Sequence, residues 1–149
     1  SIFARDILNE KNGPPPEINL FNEKNNGETL LKIIDKKLLK SAHDVSLGGI
    51  ITAIAKMCIK GNKGATLKKP KYLINEFEYL FGEDQGRFII EIEKNNLKDV
   101  TEILENSSVH YDVLGTVEKN ELIINDKSKV TIDDLIKSHT NWLTNYMSK

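Results

Sequence analysis

Residues 41–60, SAHDVSLGGIITAIAKMCIK, constrain the fold of this chain more than any other stretch. A short approach ends in His43-Asp44, passes Gly48-Gly49 and enters a nearly all-apolar run. From Ile50 onward only Thr52, Lys56 and Lys60 are polar, and their spacing of four places them on one narrow helical stripe. A helix apolar almost all round must be covered on most sides, so the pattern predicts a central helix on which other elements pack. Residues 41–45 read as a buried strand leading into it.

The connection, Ser46-Leu47-Gly48-Gly49, allows two readings. Small residues stand where the first helical turn presents free backbone N–H groups, an arrangement able to bind an anion. Equally, Ser46 can serve as an N-cap while the glycines only permit a tight strand-to-helix turn. Local sequence leaves both open.

Around this element the chain reads as follows. Residues 1–8, SIFARDIL, look like the end of an ordered element. Residues 9–26 carry three consecutive prolines among Asn, Glu and Lys, which predicts an extended linker or strap over the surface. From Glu28, the spacing of Leu30, Leu31, Ile33, Ile34 and Leu38 predicts a short amphipathic helix. Gly61-Asn62-Lys63-Gly64 stops the central helix, 65–69 is a strand candidate, and 72–81 has helical spacing up to Gly82. Residues 87–93 alternate as a half-buried strand, and 96–105 form a polar helix with one apolar stripe. Residues 109–117 and 121–124 bracket Glu118-Lys119-Asn120 as a strand, a tight turn and a partner strand. Thr131-Ile132-Asp133-Asp134 approximates a capping box that opens a last helix. Helices interleaved with strands predict an α/β fold of mixed α+β layers, and 149 residues suffice for one domain with a real core.

Composition narrows the function classes. A net charge of -1 and a pI near 6.3, with Lys scattered among Asp and Glu, argue against a nucleic-acid partner. The single cysteine, Cys58, lies in the apolar helix as a small buried hydrophobe, so neither a disulfide framework nor a cysteine metal site is expected. No run reaches the roughly 20 apolar residues of a membrane span, and the amino terminus lacks a secretory pattern, which makes a cytoplasmic location and no membrane partner the expectation.

Few residues suggest chemistry outright. His43 and Asp44 are adjacent in a predicted strand, so they point to opposite faces and read as well as structural groups as they do as a catalytic pair. His110 and His139 are scattered, and no metal ligand is assigned. Glu83-Asp84-Gln85-Gly86-Arg87 concentrates polar groups between a helix and a strand, either as a ligand loop or as a solvated turn with Glu83 paired to Arg87.

Three stretches together carry a resemblance. Ala42-His43-Asp44-Val45-Ser46-Leu47-Gly48-Gly49 is similar to the AHDVSxGG segment in the C-terminal domain of the aminoimidazole ribonucleotide (AIR) synthetase superfamily. Leu80-Phe81-Gly82-Glu83-Asp84-Gln85-Gly86-Arg87 resembles that family's LFGESQxR. Gly13-Pro14-Pro15-Pro16-Glu17-Ile18-Asn19-Leu20 with Asn25-Asn26-Gly27 resembles a linker found before the last domain in the large subunits of the phosphoribosylformylglycinamidine synthases. The resemblance runs over essentially the whole chain and implies an AIR synthase C-terminal-like fold.

It implies much about function. Such enzymes use ATP and Mg²⁺ to activate formylglycinamide ribonucleotide, and ammonia from glutamine then gives the formylglycinamidine in purine biosynthesis. Residues 1–26 become the end of a preceding domain with its proline-rich linker, and 27–149 the C-terminal domain of a longer polypeptide. That domain is expected to be structural or to hold an auxiliary nucleotide in the degenerate half of a duplicated subunit. It carries no catalytic residue of its own and is inactive alone. The implied nucleotide or phosphate contacts are Asp44, Ser46, Gly48, Gly49, Glu83 and Gln85. Asp84 stands where the family has Ser, a carboxylate where a hydroxyl would suit a phosphate. The implied partners are the preceding domains of the same polypeptide, a glutaminase subunit and a small accessory subunit. The alternatives are a stand-alone α/β binding or assembly module and the matching domain of another superfamily enzyme, the latter disfavoured by the triple proline.

Overall fold

The computed structural model describes residues 1–11, 13–68 and 75–148. The chain divides into two compact units, one of Ser1–Ala53 with Asn75–Asp112 and one of Ile54–Ile74 with Val113–Lys149.

In the first unit, helix α1 (Ile2–Asp6) is capped by Ser1, and helix α2 (Leu20–Asp35) by Asn19, whose Oδ1 accepts from Asn22 N–H at 3.0 Å. Strand β1 (Leu39–Asp44) pairs antiparallel with β3 (Phe88–Ile92), placing His43 opposite Ile89 and Asp44 opposite Phe88. Helix α4 (Glu76–Phe81) precedes β3, and a single 3-10 turn leads from β3 into helix α5 (Leu97–Asn106). Ile33, Val45, Ile50, Ala53, Leu80, Ile89 and Val100 are buried.

Two expectations change here. Helix α2 begins at Leu20 instead of Glu28, inside the stretch read as extended. The Asn19 cap starts it, and Asn25 and Asn26 donate their side-chain amides to the carbonyls of Ser107 (2.8 Å) and Gly86 (2.9 Å) instead of competing for the helix backbone. Strand β1 is not buried throughout: it alternates half-buried and exposed positions, as befits one strand of a two-stranded sheet. The 72–81 helix is described from Glu76, and residues 72–74 lie outside the described residues.

Helix α3 (Gly49–Gly61) crosses the division between Ala53 and Ile54. Along it only Lys56, Lys60 and Gly61 are exposed, so the covered helix expected from the apolar run is found. Its end is a Schellman turn: Lys63 N–H donates to Cys58 C=O, Asn62 N–H to Ile59 C=O, and Asn62 takes φ 48°.

The second unit holds a sheet of order β4-β2-β5-β6, formed by β2 (Gly64–Leu67), β4 (Gly115–Glu118), β5 (Glu121–Ile124) and β6 (Ser128–Thr131). β2 runs antiparallel to β4 and parallel to β5. The strands expected to form a hairpin across 118–120 are therefore separated by β2. Gly64 permits the insertion: a Cβ there would sit 2.1 Å from Glu121 O. The hairpin is instead β5-β6, turned by Asn125 and Asp126 with φ of 52° and 55° and closed by Lys127 N–H to Ile124 C=O at 3.0 Å. The connection is three residues long, Asn125 to Lys127, since Ile124 pairs with Ser128, and Asn and Asp are the non-glycine residues that best tolerate the positive φ at its first two positions. Helix α6 (Ile132–Met147) follows, and Ile54, Cys58, Leu67, Leu122 and Ile132 are buried. Among the described residues no helix is long and apolar enough to cross a membrane.

Candidate functional site: the glycine turn and the 83–87 loop

The two motif stretches meet in the first unit. The β1-β3 ladder continues one bond further, with Val45 N–H donating to Arg87 C=O at 2.9 Å, so the 46–49 turn lies against the 83–87 loop. The start of α3 also abuts the end of α4. Gly49 takes φ +71°, and a Cβ there would lie 2.5 Å from Leu80 O and 2.8 Å from Gly82 O. No side chain fits between those backbones, which is why glycine occupies the first position of α3.

Glu83 organises the contact. Its Oε1 accepts from Gly48 N–H at 3.0 Å and from Ile2 N–H at 2.7 Å. Burial is the largest single influence on this carboxyl and raises its pKa. The N–H groups of Ile2 and Gly48, with the positive charge of Arg5, oppose burial, and the pKa lies below its ordinary value. Gly49 N–H donates to Ser46 C=O at 3.0 Å, so the N–H groups of both glycines are engaged within the chain. Thr52 Oγ1 donates to Gly48 C=O at 3.0 Å and braces the turn from one helical turn above.

Arg87 serves the loop and not Glu83. Its guanidinium donates to Gly82 C=O at 2.5 Å and lies 3.1 Å from Asp84 Oδ2, so the pairing read from the sequence as Glu83 with Arg87 is Asp84 with Arg87. With Glu83 turned toward Gly48 and Ile2, Asp84 is the carboxylate on the guanidinium side of the loop. Helix α2 backs this loop: Gly86, at φ +69°, passes so close to Glu23 that a Cβ would be 3.3 Å from its Cα.

The remaining candidates line the rim. Asp44, Ser46 and Gln85 are exposed. His43 is half-buried and Asp44 exposed, the opposite faces expected of strand neighbours. The His43 ring nevertheless curls back: Nδ1 donates to Asp44 C=O at 2.6 Å and lies 3.4 Å from Asp44 Oδ1. Among the described residues no group of three or more His, Cys, Asp or Glu gathers to hold a metal ion. The arrangement thus offers a polar rim, a glycine turn braced by hydrogen bonds and one half-buried carboxylate.

Sequence reasoning missed the contribution of α1. Phe3 stacks on Phe81 (centroids 4.3 Å apart) and on Phe77 (5.4 Å), seating Ile2 over Glu83. The only local signal was the apolar character of SIFARDIL.

Comparison with known proteins gives the chain's relatives and its family. The chain is 78% identical over 147 residues to the phosphoribosylformylglycinamidine synthase subunit PurL of Pelagibacter ubique, covering 99% of this chain and 20% of that protein. The corresponding subunit of Bartonella bacilliformis is 37% identical, again over 99% of this chain and 20% of the relative. The chain thus spans about a fifth of the length of the curated relatives it matches. A solved structure of Thermotoga maritima PurL complexed with FGAR shares the fold, with a TM-score of 0.74 at 23% identity over 90% of this chain and 24% of that one. The family described as AIR synthase related protein, C-terminal domain, matches residues 1–127. The chain belongs to this AIR synthase related C-terminal domain family.

Proposed function

We propose that this chain is the C-terminal domain of the synthetase subunit of a phosphoribosylformylglycinamidine synthase. That enzyme is an ATP-dependent ligase of purine biosynthesis that makes formylglycinamidine ribonucleotide from formylglycinamide ribonucleotide and glutamine-derived ammonia. The observation that carries this reading is the 78% identity to Pelagibacter ubique PurL along 99% of the chain. On this reading residues 1–26 belong to the end of the preceding domain and its linker, with α2 running across that boundary. ATP as co-substrate is supported by solved Thermotoga maritima PurL structures complexed with ATP and with AMPPCP. Partner subunits are supported by a PurLQS structure from the same organism, and we assign them as a glutaminase and a small accessory subunit. The location on this reading is the cytoplasm. Mg²⁺ would enter with the nucleotide, and this chain's described acidic residues do not gather to hold it.

Within the enzyme, the domain's role is structural, with the rim of Asp44, Ser46 and Gln85 and the turn of Gly48, Gly49 and Glu83 facing an auxiliary nucleotide. The rim supports that role because its three side chains are free of the core, whereas the turn behind them is held rigid by Glu83. The test uses the full-length polypeptide. Ser46→Glu and Gln85→Glu each place a carboxylate on the exposed rim without disturbing packing. If a nucleotide phosphate lies there, either variant retains less nucleotide through gel filtration. Retention equal to wild type in both would remove the rim from the nucleotide site. Full-length protein that forms no formylglycinamidine ribonucleotide from ATP, ammonia and the formyl substrate would overturn the ligase assignment itself.

A further inference from the structure

We propose that Asn26 is a positioning residue of the candidate site: from helix α2 it holds the 83–87 loop by the Gly86 carbonyl and so fixes where Gln85 stands on the rim. Asn26 Nδ2 donates to Gly86 C=O at 2.9 Å, and both residues are half-buried, whereas Asp84 and Gln85 ahead of Gly86 are exposed. Helix α2 is a firm base for this bond. Thr29 and Ile33, three and seven residues on from Asn26 and so on the same face, are fully buried. On its flank Asn25 donates to Ser107 C=O at 2.8 Å, which ties the helix to the end of α5. One turn before Asn26, Glu23 lies so close to Gly86 that the loop backbone rests directly on the helix. The loop is held at both ends. Arg87 Nη2 donates to Gly82 C=O at one end, and at the other the consecutive carbonyls of Gly86 and Arg87 accept from Asn26 and from Val45 N–H. Glu83, Asp84 and Gln85 span the gap between those anchors. A glycine resists backbone rotation less than any other residue, so the loop at Gly86 depends on an anchor from outside. Asn suits that post because a carbonyl needs a donor, and an ionised Asp would present only lone pairs. The proposal rests on the reading of the rim as a nucleotide contact and adds the residue that keeps the rim in place.

Asn25 supplies the control, since it carries the same side chain next to Asn26 but ties α2 to α5 instead of to the loop. The full-length polypeptide is used, with nucleotide retention through gel filtration and hydrogen exchange on peptides covering residues 83–89 and 97–106 as the two readouts. Asn26→Leu removes the donor without adding charge, and Asn26→Asp keeps the shape while turning an oxygen toward Gly86. Both should cut the retained nucleotide about two- to tenfold, the range of one neutral hydrogen bond, and speed exchange in 83–89 while leaving 97–106 as in wild type. Asn25→Asp adds the same charge one residue away and should leave retention at the wild-type level. Wild-type retention in both Asn26 variants, while Ser46→Glu or Gln85→Glu loses nucleotide, would overturn the positioning role and leave the nucleotide reading standing. Equal losses from Asn25→Asp and Asn26→Asp would overturn it as well, because the cause would then be a loosened helix or the added charge. If neither the rim variants nor the Asn26 variants lose nucleotide, the nucleotide reading fails and this role fails with it.

Discussion

At the scale of single residues, the backbone and not the side chains dictates what the turn tolerates. Gly49 combines a positive φ with backbone atoms of Leu80 and Gly82 within 2.8 Å of any Cβ. Neither obstacle is a flexible side chain, so Gly49→Ala should destabilise by at least about 2 kcal/mol, read as a drop in the urea midpoint. Gly27 is the opposite case. It lies inside α2 with nothing within 4 Å of where an alanine methyl would stand, so Gly27→Ala should stabilise by about 0.5–1 kcal/mol in the same assay. Glu83 gives a pH signature. Its carboxyl is held below its ordinary pKa, since the N–H groups of Ile2 and Gly48 and nearby positive charge outweigh the burial that opposes them. The unfolded chain then binds more protons in the acid range, so this contribution is complete above the ordinary carboxylate pKa and is lost as pH falls through the folded value. Wild type should lose stability across that window more steeply than Glu83→Gln, and parallel acid limbs would refute the assignment.

Elements show how local chemistry is used and where it is overruled. The β5-β6 hairpin depends on Asn125 and Asp126 at positive φ, so Asp126→Gly creates an Asn-Gly turn and should raise the melting temperature, by about 0.5–1 kcal/mol of stability. Helix α6 begins at Thr131, whose Oγ1 accepts from Asp134 N–H at 3.1 Å and donates to Asp134 Oδ2 at 2.7 Å. Thr131→Ala should cost about 1 kcal/mol of helix stability, visible as faster amide exchange in the first turn of α6. The pairing of β2 between β4 and β5 has no local cause. A two-residue connection between strands ordinarily makes them partners, and here a strand distant in sequence enters because Gly64 lets its backbone approach Glu121.

At the scale of the whole chain, each unit leaves large apolar side chains in water. The first exposes Ile7, Leu8, Leu20 and Phe21, and the second Val113, Trp142, Tyr146 and Met147, with Trp142 and Tyr146 stacked on one another. Such surface in a chain a fifth the length of its relatives fits a domain that meets other domains. The isolated 149-residue chain should therefore enhance the fluorescence of an apolar-surface dye severalfold and sediment with concentration-dependent mass. The full-length polypeptide should do neither to that degree. A monodisperse, dye-silent isolated chain would favour a stand-alone module.

The covered helix α3 and its stop at Asn62, the existence of β3, α5 and β5, and the cap at Thr131 were all legible along the sequence. Each is set by the spacing of apolar residues or by a residue next in line, and such short-range terms survive without knowledge of the rest of the chain. The family motifs likewise marked the two stretches that meet at the turn. Tertiary structure alone decided that α2 starts at Leu20, that β2 parts β4 from β5, that Arg87 takes Asp84, and that Glu83 reaches Ile2 and Gly48. Those outcomes depend on which backbone donors and open spaces arrive from residues tens of positions away. A carboxylate or a glycine carries no local sign of the partner that will use it.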